Sequence, residues 1–496
     1  MAIAAMLYCI SHDEADPGLM TGFAFPKIIP PFLLNSGIIN KLDVMILKSI
    51  NPFTGESIGE FREYSGRKIE RLIIHADETF KIWKGTSFSM RSSLIREAGR
   101  ILTENTDLYS AAITAEMGKP VTESKAEVLK CAWVCSYYAS NAENFLKQEL
   151  INTDADISYI SYEPLGVILG IMPWNFPFWQ VFRFAVPTIM AGNIVLLKHA
   201  SNVQICASHI EKIFEMAGFP QGVFRNLVIS SGRVKKVIEN ELVKGVSLTG
   251  SEEVGSIVAA VAGENIKKSV LELGGNNAFI VLEDADLTKA VSTGIMARLQ
   301  NAGQSCIAAK RFIVQEKVYD RFVELFLEKL NSVKQGDPMN EETNLGPLVS
   351  VQQAEKVVMQ VKKSCDMGAR IIYGGRQEKA FLQPVLMTDV KPGMPVFDEE
   401  VFGPVIPLII FRNTEEAIAL ANKTRFGLGV SLFTRDLAKA GDLIDKFKDG
   451  AVFINELVKS DPRLPFGGTG FSGYGRELSV QGIREFVNVK TVYIKY

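Results

Sequence analysis

Between residues 165 and 272, five short apolar runs alternate with stretches of helical length: 167–171, 194–198, 224–229, 245–248 and 269–273. This βαβα rhythm is that of a parallel, doubly wound sheet, and it sets the fold class as α/β. The spacing predicts a helix over 202–217, stopped by Gly218 and Pro220. A second round begins near 278, with helices expected near 286–300, 317–333, 350–367, 413–423 and 436–447.

The flanks follow other periods. From Gly66 to about Leu146 the pattern is helical: Ile69, Leu72, Ile73, Ala76, Phe80 and Trp83 recur at three- and four-residue spacing. Ser89 and Asn105 bound one expected helix, Thr106 and Gly118 another. Residues 157–162 alternate as a strand or hairpin does, and 486–494 are strand-like. An exposed pair of this kind invites pairing across subunits.

At 496 residues, 47% of them hydrophobic, the chain has core enough for about three units. A net charge of −2 with both signs interspersed excludes a nucleic-acid footprint or a polybasic membrane patch. The six cysteines form no CxxC and the four histidines no HExxH, so no metal site is expected; such thiol usage suits a reducing cytoplasm. Cys131 and Cys135, four apart in a helical pattern, read as buried thiols. Residues 1–44 lack a signal-peptide pattern, and Pro26, Pro30 and Pro31 interrupt their apolar run. They are expected to be a loosely ordered extension, or translation begins at Met45.

Four segments carry chemistry. Thr249-Gly250-Ser251 follows a strand and opens a helix, where backbone N–H groups favour a phosphate; a plain helix cap reads equally well. Ser256 stands where a Walker A lysine belongs, so a P-loop is excluded. Cys306 ends Gly303-Gln304-Ser305-Cys306 and is either a small core residue or a nucleophile needing local activation. Glu272, at the end of an apolar run, is either a carboxylate satisfied by backbone donors or a general base. Asn175, in PWNFP at 173–177, either caps the next helix or donates to an oxyanion. No GxSxG elbow is present, which removes a serine hydrolase.

Taken together, these segments resemble the aldehyde dehydrogenase superfamily. The matching pieces, in order, are PWNFP (173–177), LLKHAS (196–201), LTGSEEVG (248–255), LELGGNN (271–277), NAGQSC (301–306), EEVFGPV (399–405), and PFGG with SGYGRE (within 465–477). The resemblance runs from about Pro52 to the C-terminus. It implies that Cys306 attacks an aldehyde carbon, that Asn175 and the Cys306 N–H hold the oxyanion, and that Glu272 activates the water that hydrolyses a thioester. Trp174, Lys198, Ser201, Gly250, Ser251, Leu273, Glu400 and Phe402 fall on dinucleotide positions. NAD-preferring relatives often carry glutamate where this chain has Ser201, so NADP is expected ahead of NAD. His199 either assists or simply packs.

Within the superfamily the chain looks like the succinate-semialdehyde dehydrogenase group, with Arg183 eight residues after Asn175. A bidentate arginine there suits a substrate carboxylate. Gln300 departs from the second arginine of many members, and Ser460 and Arg463 are the expected substitutes. Gly470 replaces the usual lysine, and Ala308 rules out the disulfide switch of some relatives. The domains implied are dinucleotide-binding (45–150 and 168–276), catalytic (277–460) and an oligomerisation arm (151–167 and 480–496) giving a homodimer or homotetramer. Other readings are a broad aliphatic or hydroxy-aldehyde dehydrogenase, a thiol esterase, and an inactive nucleotide-binding relative.

Overall fold

The structure, a computed structural model, describes residues 45–496; the expected extension 1–44 lies outside the described residues. The front of the chain is helical as its periodicity requires. Gly66–Trp83, Phe88–Glu104, Thr106–Met117 and Val121–Phe145 turn Ile73, Ile95, Ile113 and Val128 inward. The second helix is capped by Ser87, whose side chain accepts from Met90 N, and so starts before the Ser89 boundary. Gly118 ends the third at φ +83°, a left-handed turn natural to glycine.

The first apolar runs form a six-stranded sheet in the order Gly473–Tyr474, Lys268–Glu272, Val243–Thr249, Val167–Met172, Ile194–His199, Phe224–Asn226. All pairs are parallel except the first, where Gly473 opposes Glu272. The run at 224–229 forms a strand only to Asn226. Strand order reverses at Val167–Met172, which lies between Ile194–His199 and Val243–Thr249. In such sheets the crevice outside the carboxyl ends at the reversal is where ligands bind. Here it lies beside Pro173-Trp174-Asn175 and Gly250-Ser251.

The second round builds a seven-stranded sheet: Arg370–Gly374, Val385–Thr388, Val405–Phe411, Ala309–Gln315, Asn277–Val281, Val430–Phe433, Val452–Ile454. Each sheet has its own buried core. Phe466, Leu478, Ile483 and Phe486, near the C-terminus, join the first core rather than the second. A third sheet pairs Val487–Ile494 with Ile157–Pro164, antiparallel over the full eight residues, and adds Glu149–Leu150. Val489, Tyr493 and Leu150 are exposed on it. Among the described residues no helix is long and apolar enough to cross a membrane, and no cluster of His, Cys, Asp and Glu is arranged to hold a metal.

Candidate active site

Two cavities meet at Cys306. One, of about 210 Å³, is lined by Trp174, Asn175, Gly250, Ser251, Leu273, Glu400 and Phe402. The other, of about 250 Å³, is lined by Glu123, Lys130, Trp179, Arg183, Gln300 and Ser460. Cys306 and Gln180 face both. A larger cavity of about 520 Å³, between Phe53, Asp337, Arg376 and Phe381, holds none of these groups.

The turn carrying Cys306 is unusual backbone. Asn301 and Ala302 have φ of +54° and +52°, followed by Gly303 at +75°. Left-handed conformation at a non-glycine residue costs energy and persists only where surroundings impose it. Asn301 Nδ2 donates to the Asn175 carbonyl at 2.7 Å, and Asn301 N donates to Glu123 Oε2 at 2.8 Å. Behind the thiol, Asn277 Nδ2 and Lys310 Nζ donate to the Cys306 carbonyl at 2.7 and 2.8 Å. Asn175 Nδ2 spends one N–H on the Gln304 carbonyl at 3.0 Å, leaving the other. It does not cap the next helix, Trp179–Met190, which has no side-chain cap. The Cys306 N–H has no acceptor among the described residues. Together these donors are the makings of an oxyanion hole.

Burial pushes the Cys306 thiol up to about 11, opposed by the charges of Lys310 and Arg183. At that value roughly one molecule in ten thousand is thiolate at pH 7, so burial favours the protonated thiol in the free protein. Glu272 is buried, and neither carboxylate oxygen has a hydrogen-bond partner. The reading of a carboxylate satisfied by backbone donors therefore does not hold. Burial, then the charge of Glu477, raises Glu272 well above the usual carboxylate range, against Arg183 and Arg476. Its Oε1 packs against Gly467, where a Cβ would approach within 2.7 Å. In this position Glu272 lines neither cavity.

On the cofactor side, Ser251 caps Glu252–Glu264, accepting from Val254 N at 3.4 Å, so the plain-cap reading holds for its side chain. The helix N-terminus still opens into the cavity beside Gly250, where a Cβ would meet nothing nearer than Leu248 at 3.6 Å. Glu400 Oε1 accepts from Gly275 N at 3.0 Å and pairs with Lys310 at 2.9 Å. Trp174 and Phe402 meet edge to face at 5.8 Å. Lys198 and Ser201 do not line this cavity. Lys198 is buried, its pKa lowered by desolvation, and has no acidic partner among the described residues, as suits a cation awaiting an anionic ligand. These residues fit a dinucleotide. His199 packs: its Nε2 donates to the Pro177 carbonyl at 2.8 Å, its Nδ1 accepts from Ala200 N at 2.9 Å, and burial lowers its pKa to about 4.

On the substrate side, Arg183 reaches the cavity, but its guanidinium pairs with buried Glu477 and lies 4.6 Å over the Phe466 ring. Ser460 lines the cavity. Arg463 does not: it holds Asp461 with two hydrogen bonds at 2.8 and 2.6 Å, its side chain mostly exposed. Sequence reading missed Glu123, raised to about 7 by burial, and Lys130, because both sit on an amphipathic helix where charges ordinarily face solvent.

A parallel sheet whose strand-order reversal opens onto a crevice, with Cys306 at the junction of two cavities, is the layout of a dinucleotide-binding α/β enzyme. The chain belongs to the aldehyde dehydrogenase family, whose model matches residues 41–492. It is 47% identical over 453 residues to a Synechocystis sp. protein named probable succinate-semialdehyde dehydrogenase [NADP(+)], covering 91% of this chain and 100% of the relative. It is 45% identical over 456 residues to Mycobacterium tuberculosis succinate-semialdehyde dehydrogenase [NADP(+)] 1, at the same coverage. Among solved structures it resembles succinic semialdehyde dehydrogenase from Streptococcus pyogenes, in complex with NADP+ as the cofactor. The TM-score is 0.89 and the identity 38%, over 91% of this chain and 100% of the other.

Proposed function

We propose that this protein oxidises succinate semialdehyde, or a similarly short aldehyde, to the acid, through a thioester on Cys306 and with NADP preferred over NAD. The observation that carries the reading is the placement of Cys306 at the junction of the two cavities. Cys306 gives up its thiol proton to water, its Sγ forms a bond to the aldehyde carbon, and the C=O π pair moves onto the oxygen, whose negative charge lies between Asn175 Nδ2 and the Cys306 N–H. The nicotinamide, when bound, accepts the hydride that leaves that carbon. Glu272 then takes a proton from water, which cleaves the thioester and frees the thiol. Because Glu272 lines neither cavity as placed here, its side chain must swing from Gly467 towards Cys306 to do so. Lys198 and Ser201 would hold the 2′-phosphate, Glu400 the nicotinamide ribose and Ser460 the far carboxylate, while Arg183, at the same cavity wall, is already paired with Glu477.

Relatives named for this activity and this cofactor support the assignment. A second reading, a broad aliphatic or hydroxy-aldehyde dehydrogenase, draws on one observation: the charge of Arg183 is already matched by Glu477. Initial rates of NAD(P)H formation with succinate semialdehyde and butanal, under NADP and then NAD, separate the two. A much higher kcat/KM for the semialdehyde supports the first; equal values support the second. The exposed face of the Val487–Ile494 sheet supports a homodimer or homotetramer, which sedimentation tests. Five free cysteines among the described residues support a reducing, cytoplasmic setting.

A further inference from the structure

We propose that Lys130, together with the hydroxyl of Ser460, is the specificity-determining anion subsite of the substrate cavity and binds the carboxylate at the far end of the aldehyde. The inference deepens the function proposed above and rests on it.

The argument is one of unspent hydrogen-bonding capacity. Ser460 is buried, and its Oγ accepts from two donors, Lys130 Nζ at 2.9 Å and Trp179 Nε1 at 3.1 Å. A hydroxyl has two acceptor positions and one proton. With both positions filled, the proton must point elsewhere, and no acceptor for it exists among the described residues. Lys130 is in the same state: it has three N–H donors, of which Ser460 takes one. Its ammonium lies 4.3 Å over the Trp179 ring, which holds it at the cavity wall.

Neighbouring charges are engaged elsewhere. Glu127 pairs with Lys119 and accepts from Phe178 N and Trp179 N at 2.8 and 2.9 Å. Asp461 is held by Arg463, Lys459 by Glu456 at 2.9 Å, Arg183 by Glu477, and Glu123 accepts from Asn301 N. Lys130 has no carboxylate within ion-pair distance among the described residues. Burial, with Arg183 as the next contribution, accordingly lowers its pKa to about 8. A half-buried cation with no acidic partner gains from a ligand that supplies the anion. Three free donors converging from one ammonium and one hydroxyl suit a carboxylate, and the cavity that holds them ends at Cys306.

The test uses the full-length protein and Lys130→Met, Lys130→Arg and Ser460→Ala. Steady-state kinetics are measured with succinate semialdehyde and butanal, and succinate is added as inhibitor against butanal. Lys130→Met is expected to lower the semialdehyde-to-butanal ratio of kcat/KM by about tenfold or more, through KM, and to weaken succinate inhibition in parallel. Lys130→Arg restores part of the ratio. An unchanged ratio with unchanged succinate inhibition in Lys130→Met overturns the subsite. Wild-type protein without preference for the semialdehyde instead overturns the proposed substrate, and the succinate series still decides whether Lys130 binds a carboxylate.

Discussion

Asn301 Nδ2 donates to the backbone carbonyl of Asn175 at 2.7 Å and, at 3.1 Å, to that of Gln304, so one side chain ties the Asn175 segment to the turn that carries Cys306. The two segments come from different sheets, and Asn301 adopts φ +54°, a region asparagine tolerates better than most residues. Asn301→Ala removes the tie and leaves a strained alanine. We expect kcat to fall by about 10- to 100-fold with the KM for NADP little changed, as when a residue that orients a catalytic group is lost. Stopped-flow measurement of hydride transfer checks this; an effect on KM alone would count against it.

Cys306 titrates high because burial outweighs Lys310 and Arg183. Its neutral form is favoured in the folded protein, so this contribution to stability is present below the unfolded thiol's pKa of about 8.5 and is lost as pH rises through about 11. Alkylation of the free protein by iodoacetamide should therefore keep accelerating to at least pH 10. A plateau near pH 8 would mean that the thiol is activated before any ligand binds.

Glu272 shares its buried surroundings with Glu477, and both carboxyls are raised by desolvation against the opposing charge of Arg183. Burial therefore favours the neutral form of Glu272 in the position seen here, and a move towards water favours the carboxylate. Glu272→Gln should retain a burst of NADPH formation followed by a steady state slowed about 10²- to 10⁴-fold, since only thioester hydrolysis needs the base. Rapid-quench detection of acylated protein checks this. Loss of the burst itself would place Glu272 before hydride transfer.

Gly470 has φ +58°, and a Cβ there would come within 2.8 Å of the Arg425 carbonyl. A side chain at this position is therefore disfavoured in this chain. Gly470→Lys should destabilise the protein by about 1–2 kcal/mol, read from chemical denaturation, because a side chain is strained in left-handed backbone.

The local elements were readable from the residues. The helix expected over 202–217 is Gln204–Met216, that over 350–367 is Val351–Asp366, and that over 286–300 is Leu287–Leu299. Boundaries slipped where capping turned on a nearby alternative, Ser87 in place of Ser89, and where a strand ended early, at Asn226. Glu272 stood out as a carboxylate closing an apolar run and Asn175 as an amide among aromatic neighbours, but for these two and Cys306 the residues left a structural and a chemical reading open, and only the resemblance chose between them.

Sequence periodicity alone set the α/β class and the two rounds of strand and helix, since burial on one face imposes a repeat that folding does not alter. Which charges meet was a matter of tertiary packing. Arg183 reads as a free cation until Glu477, from the far end of the chain, is seen to neutralise it. Arg463 reads as a substrate contact until Asp461 claims it. Lys130 reads as a solvated helix charge until Ser460 and Trp179 enclose it. Electrostatic partnership depends on distance in space, and residues far apart in the chain acquire that distance only when the two sheets and the C-terminal segment pack together.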